Sequence, residues 1–408
     1  MRWCTRWTEE TFSLFITVAL IVDAGKDVFY NFQRFYRPCG YSDAHSRTAT
    51  LSLVGAAGAQ QLAANLSSLG DEVSLVRYAT PSADAALAEC RRDVPLLFVL
   101  LMLATLWLGL SLFRLIRTSY LPSKLRELLS DYALPLAVVV VSLIGVAGFP
   151  EVPTSDFEDD TSTSMFTRAR LETIEVQPLM ISLVLGFVLS LLFVMDQNIS
   201  GSMAGARKHK LTKGPAYDWD ILVVAVLNAF LSLYGLPWMH GVLPHSPLHA
   251  RALADSEERI VDGCMQRVVT KARETRLAAL AAHVLLGLSI LLLPRPLGLI
   301  PTAVLDGLFL YVAISSLQAN QFFERILLIV TERESYPPYN YVRWCPQASM
   351  HTFTGLQLLQ LAVFCFFGFS PWPYLSMMFP LVIVAMLVVR HLLVPLVIHP
   401  AYLQYLDD

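Results

Sequence analysis

Residues 235–253, GLPWMHGVLPHSPLHARAL, put three histidines and a serine among three prolines and two glycines. Imidazoles titrate near neutrality, exchange hydrogen bonds with anions and ligate metals. His245 and His249 are four residues apart, so on a helix they share a face and could hold zinc. No carboxylate or cysteine accompanies them, and HSPLH lacks the glutamate of a metalloprotease pattern, so no metal site is expected. The second residue with chemistry is Asp196, at the end of the apolar run LVLGFVLSLLFVMD (Leu183–Asp196). A carboxylate inside hydrocarbon is costly unless it faces a cavity or a partner; at the membrane interface it is unremarkable. Asp23, Lys26 and Asp27 have the spacing to pair along one helix. His283, Asp306, Arg390 and His391 read as helix contacts or snorkelling ends. No nucleophile–base pair, phosphate loop or metal set is found, so neither an enzyme nor a cofactor is expected.

The elements that must position these residues are membrane spans. Of the 408 residues, 55% are hydrophobic and 15% charged, and the mean hydropathy is +0.53. Soluble domains carry roughly 25% charged residues, so the composition predicts an all-α polytopic membrane protein, with the lipid bilayer as its partner. Basic residues lie in short clusters between apolar segments, which gives no nucleic-acid footprint. A span needs about 20 apolar residues. Nine candidates follow, at 11–30, 94–116, 132–149, 178–196, 219–238, 277–294, 299–318, 350–369 and 374–398. MRWCTRWTEE at the start is polar and has no small-residue cleavage site, so no signal peptide is expected.

Lysine and arginine set the orientation. The 114–131, 197–218 and 251–276 segments are the basic ones, and all fall on one face if residues 245–254 return to the side where span 219–238 began. That face reads as cytoplasmic. Segments 31–93 and 150–177 are then outside, and the second contains the acidic run Asp156–Asp160. The first carries the glycosylation sequon Asn65-Leu66-Ser67, with Cys39 and Cys90 at its ends, where a disulfide is plausible in an oxidising compartment. These features point to the plasma membrane. A second sequon at Asn198 falls on the cytoplasmic side and is set aside.

The broken stretch must then be explained. In hydrocarbon every backbone polar group needs a partner, and irregular backbone survives only inside protein or beside a water-filled cavity. The expectation is a helix to about Met239, an extended piece through Gly241–Leu243, and a half-helix over 245–254 with Pro244, or Pro247 with Ser246 as cap, in its first turn. Such a half-helix aims unpaired N–H groups and a positive dipole end at the protein centre, as in the anion sites of secondary transporters. A kinked structural helix is the alternative.

Several blocks resemble the bicarbonate and borate transporter family. They include FVMDQNISGSM (Phe193–Met203), KLTKGPAYDWDILVV (Lys210–Val224), the 235–253 stretch, RETRLAALAAHVLLGLSILLLP (Arg273–Pro294), IPTAVLDGLFLYVAISSL (Ile300–Leu317), MHTFTGLQLLQLAV (Met350–Val363) and the terminal LQYLDD. The resemblance covers nearly the whole chain apart from the outer loops. It implies part of a seven-plus-seven inverted-repeat transporter with core and gate domains. By that resemblance, 1–30 is gate helix five, 31–93 an outer loop, 94–149 gate helices six and seven, and 150–177 another outer loop. Core helices eight to eleven occupy 178–294, gate helices twelve to fourteen 295–399, and a cytoplasmic tail 400–408. The family's first four core helices would precede this sequence, so an incomplete chain is the expectation.

The resemblance further implies secondary active transport of a small inorganic anion, borate or bicarbonate, by alternating access, with a proton or sodium as the alternative coupling ions. Asp196 matches the family's acidic residue on the eighth helix and takes the coupling role. His245 stands where chloride–bicarbonate exchangers have arginine and borate transporters commonly have glutamine. The anion cup would comprise His245, Ser246, Gly241, Leu243 and Asp196. A homodimer through the gate helices is implied too. A non-transporting fragment, or an assembly partner of a full-length anion transporter, is the competing expectation.

Overall fold

The computed structural model describes residues 5–52, 91–118, 120–152, 168, 175–206, 209–214, 216–241, 245–261, 264–289, 297–318, 320–337 and 339–407. Asn65, Cys90 and Leu243 lie outside them, as do the side chains of Cys39 and His245. The first helices are α1 (Arg6–Ser52), α2 (Asp93–Arg114), α3 (Ser123–Asp131), α4 (Ala133–Gly148), α5 (Val176–Ala204), α6 (Tyr217–Leu233) and α7 (His245–Ala252). A two-stranded antiparallel hairpin follows, β1 (Ala254–Val261) with β2 (Cys264–Ala272). Then come α8 (Arg276–Ser289), α9 (Thr302–Gln318), α10 (Gln321–Val330), α11 (Asn340–Trp344), α12 (Gln347–Gly368), α13 (Pro373–Met377), α14 (Phe379–Leu392), α15 (Val394–Val397) and α16 (Pro400–Asp407).

Among the described residues, four segments are helical, long and apolar enough to cross a membrane: α2, α5, α12 and Phe379–Val397. The bent pairs α3–α4 (68°) and Thr302–Leu317 with α10 (72°) raise that to six. The second bend is built by Asn320. Its Oδ1 accepts from Phe322 N at 2.9 Å, which caps α10, and its Nδ2 donates to the Glu10 carbonyl at 2.9 Å.

Sequence expectations shift for two helix lengths, for the end of α6 and for the 251–276 segment. The first helix continues to Ser52, beyond the expected span at 11–30, and α5 continues to Ala204, so Asp196 lies within a helix rather than at its end. The α6 helix stops at Leu233, well before Met239. Gly235 takes φ 64°, and Leu236 N donates to Leu231 O (3.0 Å) while Gly235 N donates to Ser232 O (3.3 Å). This is a Schellman C-cap, which needs a residue free to adopt the left-handed region. The hairpin is the last difference: the basic 251–276 segment is a strand pair with Asp255 and Arg273 bridged at 2.7 Å.

The chain forms two compact units, Met1–Leu20 with Glu158–Leu293 and Tyr311–Asp408, and Ile21–Phe157 with Pro294–Leu310. In the second unit Leu97, Phe98, Leu101, Met102, Val141 and Val304 form the core. Here α2 and α9 touch so closely that a Cβ on Gly307 would lie 2.5 Å from the Met102 carbonyl oxygen. The first unit has two apolar clusters, one of Trp7, Leu328, Met350, Phe353, Val394 and Leu406, the other of Phe12, Phe15, Ile199, Phe364 and Ile383.

A polar network runs beside the first of these clusters. Arg325 is fully buried, donates to the Glu10 carboxylate and to Gln357 Oε1 (2.8 Å), and faces the Phe353 ring at 5.1 Å. Trp7 donates its indole N–H to Gln360 Oε1 and its backbone N–H to Asp407 Oδ1 (2.6 Å). Asp407 also accepts from Arg390 Nε at 2.9 Å. Buried charge is tolerable only when paired; Arg325 is paired through Nη2, while its Nε and Nη1 have no hydrogen-bond partner among the described residues.

Candidate functional site

The site is assembled on α5, within one compact unit. Phe193, Asp196, Gln197 and Ser200 recur at i, i+3, i+4 and i+7, which makes one stripe of the helix. The stripe faces the broken segment. The face carrying Leu192, Met195, Ile199 and Met203 packs into the apolar cluster around Phe12 and Phe364. One helix thus has a greasy side for packing and a polar side for chemistry.

The extended piece after α6 is held by Asn228. Its Oδ1 accepts from Met239 N and its Nδ2 donates to Met239 O, each at 2.8 Å, replacing the partners that a strand would have had. Trp238 adds an indole N–H bond to Ser232 Oγ at 2.7 Å. Gly241 N then donates to Gln197 Oε1 at 2.7 Å. A Cβ on Gly241 would lie 2.9 Å from that oxygen and 3.0 Å from Ser200 Oγ, so only glycine lets the chain approach α5 this closely.

His240 is brought to Asp196. Its Nδ1 lies 3.3 Å from Asp196 Oδ2 and 3.1 Å from the Gly241 carbonyl oxygen. Both neighbours are acceptors when the carboxyl is ionised, which puts the proton on Nδ1 and leaves Nε2 for another partner. The imidazole stands edge-on to Phe193 with centroids 4.9 Å apart. Asp196 is 8% exposed, and its Oδ1 is buried with no hydrogen-bond partner among the described residues. One turn further along α5, Ser200 Oγ donates to Ser246 Oγ at 3.1 Å, which ties α5 to the first turn of the half-helix. In that turn the leading backbone N–H groups have no intrahelical acceptor.

Of the residues expected to form the cup, the structure gathers Asp196, Gly241 and Ser246. The backbone of His245 begins α7, and Leu243 lies outside the described residues. Sequence reasoning missed His240, Gln197, Ser200 and Asn228. The i, i+3, i+4, i+7 stripe through FVMDQNIS was the available signal for two of these, since polar residues on one face of a membrane helix face protein or a cavity. Nothing in the sequence singled out His240 over His245, because the six residues after Leu233 have no helical period.

The described residues bring together a buried carboxylate, an imidazole, two hydroxyls and the opening N–H groups of a half-helix, groups that can exchange hydrogen bonds with a small polar solute. Comparison with known proteins gives the family of the chain. The chain is 42% identical over 409 residues to solute carrier family 4 member 11 of Mus musculus, covering 98% of this chain and 46% of that protein. It is 29% identical over 324 residues to the human band 3 anion transport protein, covering 77% of this chain and 35% of that one. It is 32% identical over 321 residues to sodium bicarbonate cotransporter 3 of Rattus norvegicus, covering 78% and 26%. The chain therefore spans less than half the length of these relatives. The profile of the HCO3- transporter integral membrane domain matches residues 1–408, and the chain belongs to that family of membrane anion transporters.

Proposed function

We propose that the protein is a secondary active transporter of a small inorganic anion, borate or bicarbonate, held between the α5 stripe and the opening turn of α7. The observation that carries this reading is the juxtaposition of Asp196 and its unpartnered Oδ1 with His240 and the Ser200–Ser246 contact, on a backbone broken at that level. Half-helix N–H groups and a serine hydroxyl suit the oxygens of either anion. Asp196 gives the coupling its sign. Two negative charges a few ångströms apart in a low-dielectric site repel strongly, so anion and ionised carboxylate do not occupy the site together. A proton or sodium ion that enters with the anion cancels one charge, and His240 is the adjacent group able to pass a proton. The name of one relative couples sodium to bicarbonate, which favours sodium as one arm of the test.

In this reading transport runs by alternating access, with the helices of 178–294 as the moving core and those of 1–30, 94–149 and 295–399 as gate and as homodimer contact at the plasma membrane. The test is uptake into proteoliposomes that hold a pH dye, with bicarbonate or boric acid outside and a sodium or proton gradient imposed. Uptake of one anion, accelerated by one gradient and abolished by Asp196→Asn, is expected. Equal uptake by the parent and Asp196→Asn would remove the role given to Asp196, and no uptake by the parent would leave the non-transporting reading.

A further inference from the structure

The segment between α5 and α6 includes an exposed run, Lys210–Gly214, and the backbone takes the left-handed region at Lys210, with φ 48°. This run is tied to the turn before α8 by one carboxylate. Glu274 Oε1 accepts from Thr212 N, from Lys213 N at 3.1 Å and from the Thr212 hydroxyl at 3.1 Å. The other oxygen, Oε2, is buried with no hydrogen-bond partner among the described residues. On the neighbouring hairpin Arg273 bonds Asp255, so the positive charge nearest Glu274 in sequence is already engaged. In the sequence, Arg207, Lys208 and Lys210 precede Thr212 and Lys213 follows it.

Three independent features meet at Thr212: an exposed hydroxyl, irregular backbone that can be drawn into an extended shape, and flanking cations. These are what a protein kinase that selects basic residues needs from its substrate. We propose that Thr212 is a phosphorylation site for a basic-directed serine/threonine kinase, and that phosphorylation releases the Glu274 tie. The Thr212 oxygen attacks the γ-phosphorus of ATP, the bond from that phosphorus to the bridging oxygen breaks, and ADP departs. The hydroxyl proton passes to the kinase's base. The product carries about −1.5 to −2 charges at pH 7 on the atom that now bonds Glu274. Like charges at hydrogen-bond distance repel, the hydroxyl donor is lost, and Lys210 and Lys213 become the better partners for the phosphate. The consequence is a freed connection at the foot of α5, the helix that carries Asp196.

The site depends on the loop facing the cytoplasm, as its positive charge indicates, and not on which solute is carried. The experiment uses the purified full chain in detergent, ATP and the catalytic subunit of a basic-directed kinase. Mass spectrometry locates the phosphate, and hydrogen exchange follows the peptide that contains Thr212 and Lys213. The expected result is incorporation at Thr212, together with several-fold faster exchange of these two amides. Thr212→Val, which keeps both backbone bonds, stays slow after kinase treatment, and Glu274→Gln exchanges faster without any kinase. Failure to phosphorylate Thr212 would overturn the site. Phosphorylated protein with unchanged exchange would overturn the release.

Discussion

At the scale of single residues, the pairing of Asp196 with His240 carries the reading, and it can be separated from its surroundings by substitution. Asp196→Asn removes the charge and keeps the shape, while His240→Gln keeps a donor and removes the ability to titrate. If the two act as one unit, each single change and the double change reduce coupled uptake to a similar level, since groups that work together are far from additive. Additive losses would mean that the 3.3 Å contact is incidental. Gly241→Ala belongs at this scale too. Its new Cβ collides with Gln197 Oε1 and Ser200, so α5 and the extended piece must part. Uptake should fall while the protein still folds and runs as a single species in gel filtration. The signal for this glycine was visible in the sequence, whereas its contact with Gln197, forty-four positions away, was not.

At the scale of elements, the ends of helices decide what sits at the site. The Schellman cap at Gly235 sets where α6 stops, and hence how far His240 can reach. Gly235→Ala forces a left-handed alanine at a cost of about 1 kcal/mol. It should lower the apparent Tm modestly, and lower transport more than that loss alone explains, by shifting the register of the extended piece. The Glu274 tie gives a pH prediction. The backbone N–H of Lys213, followed by the donors on Thr212, holds this carboxyl below the usual range of a glutamate. A group whose pKa is depressed on folding stabilises the native state above its unfolded pKa. That contribution fades as pH falls through the folded value. Protection of the Thr212 and Lys213 amides, referenced to the intrinsic exchange rate, should therefore be constant near neutrality and decline only on acidification below the ordinary glutamate range. A decline centred near pH 7 would show that another group holds the loop. A helix over residues 11–30 and the apolar run after Pro373 were legible from apolar length alone. The hairpin was not, because its strands ADSEERIV and CMQRVVTKA show no clean apolar alternation and pair with each other.

At the scale of the whole molecule, Glu10, Arg325 and Gln357 join three helices distant in sequence through one buried network. Glu10 also pairs with Arg6 at 3.1 Å, so it is loss of Glu10 that leaves the buried Arg325 uncompensated, at a cost of about 3–5 kcal/mol; removing both Glu10 and Arg325 costs less. Thermal unfolding in detergent should therefore rank Glu10→Leu well below Arg325→Met/Glu10→Leu, and a double variant as unstable as the single one would exclude a charge effect. The amino-acid sequence by itself determined the membrane class, the family and the backbone break at 235–253, because hydrocarbon thickness and backbone hydrogen bonding act on composition and spacing along the chain. Only the tertiary structure decided that Asp196 meets His240, that Gly241 rests on Gln197 and that Arg325 meets Glu10. Those contacts join residues across tens to hundreds of positions, and their geometry is set by packing between helices, for which no local period in the sequence provides a measure.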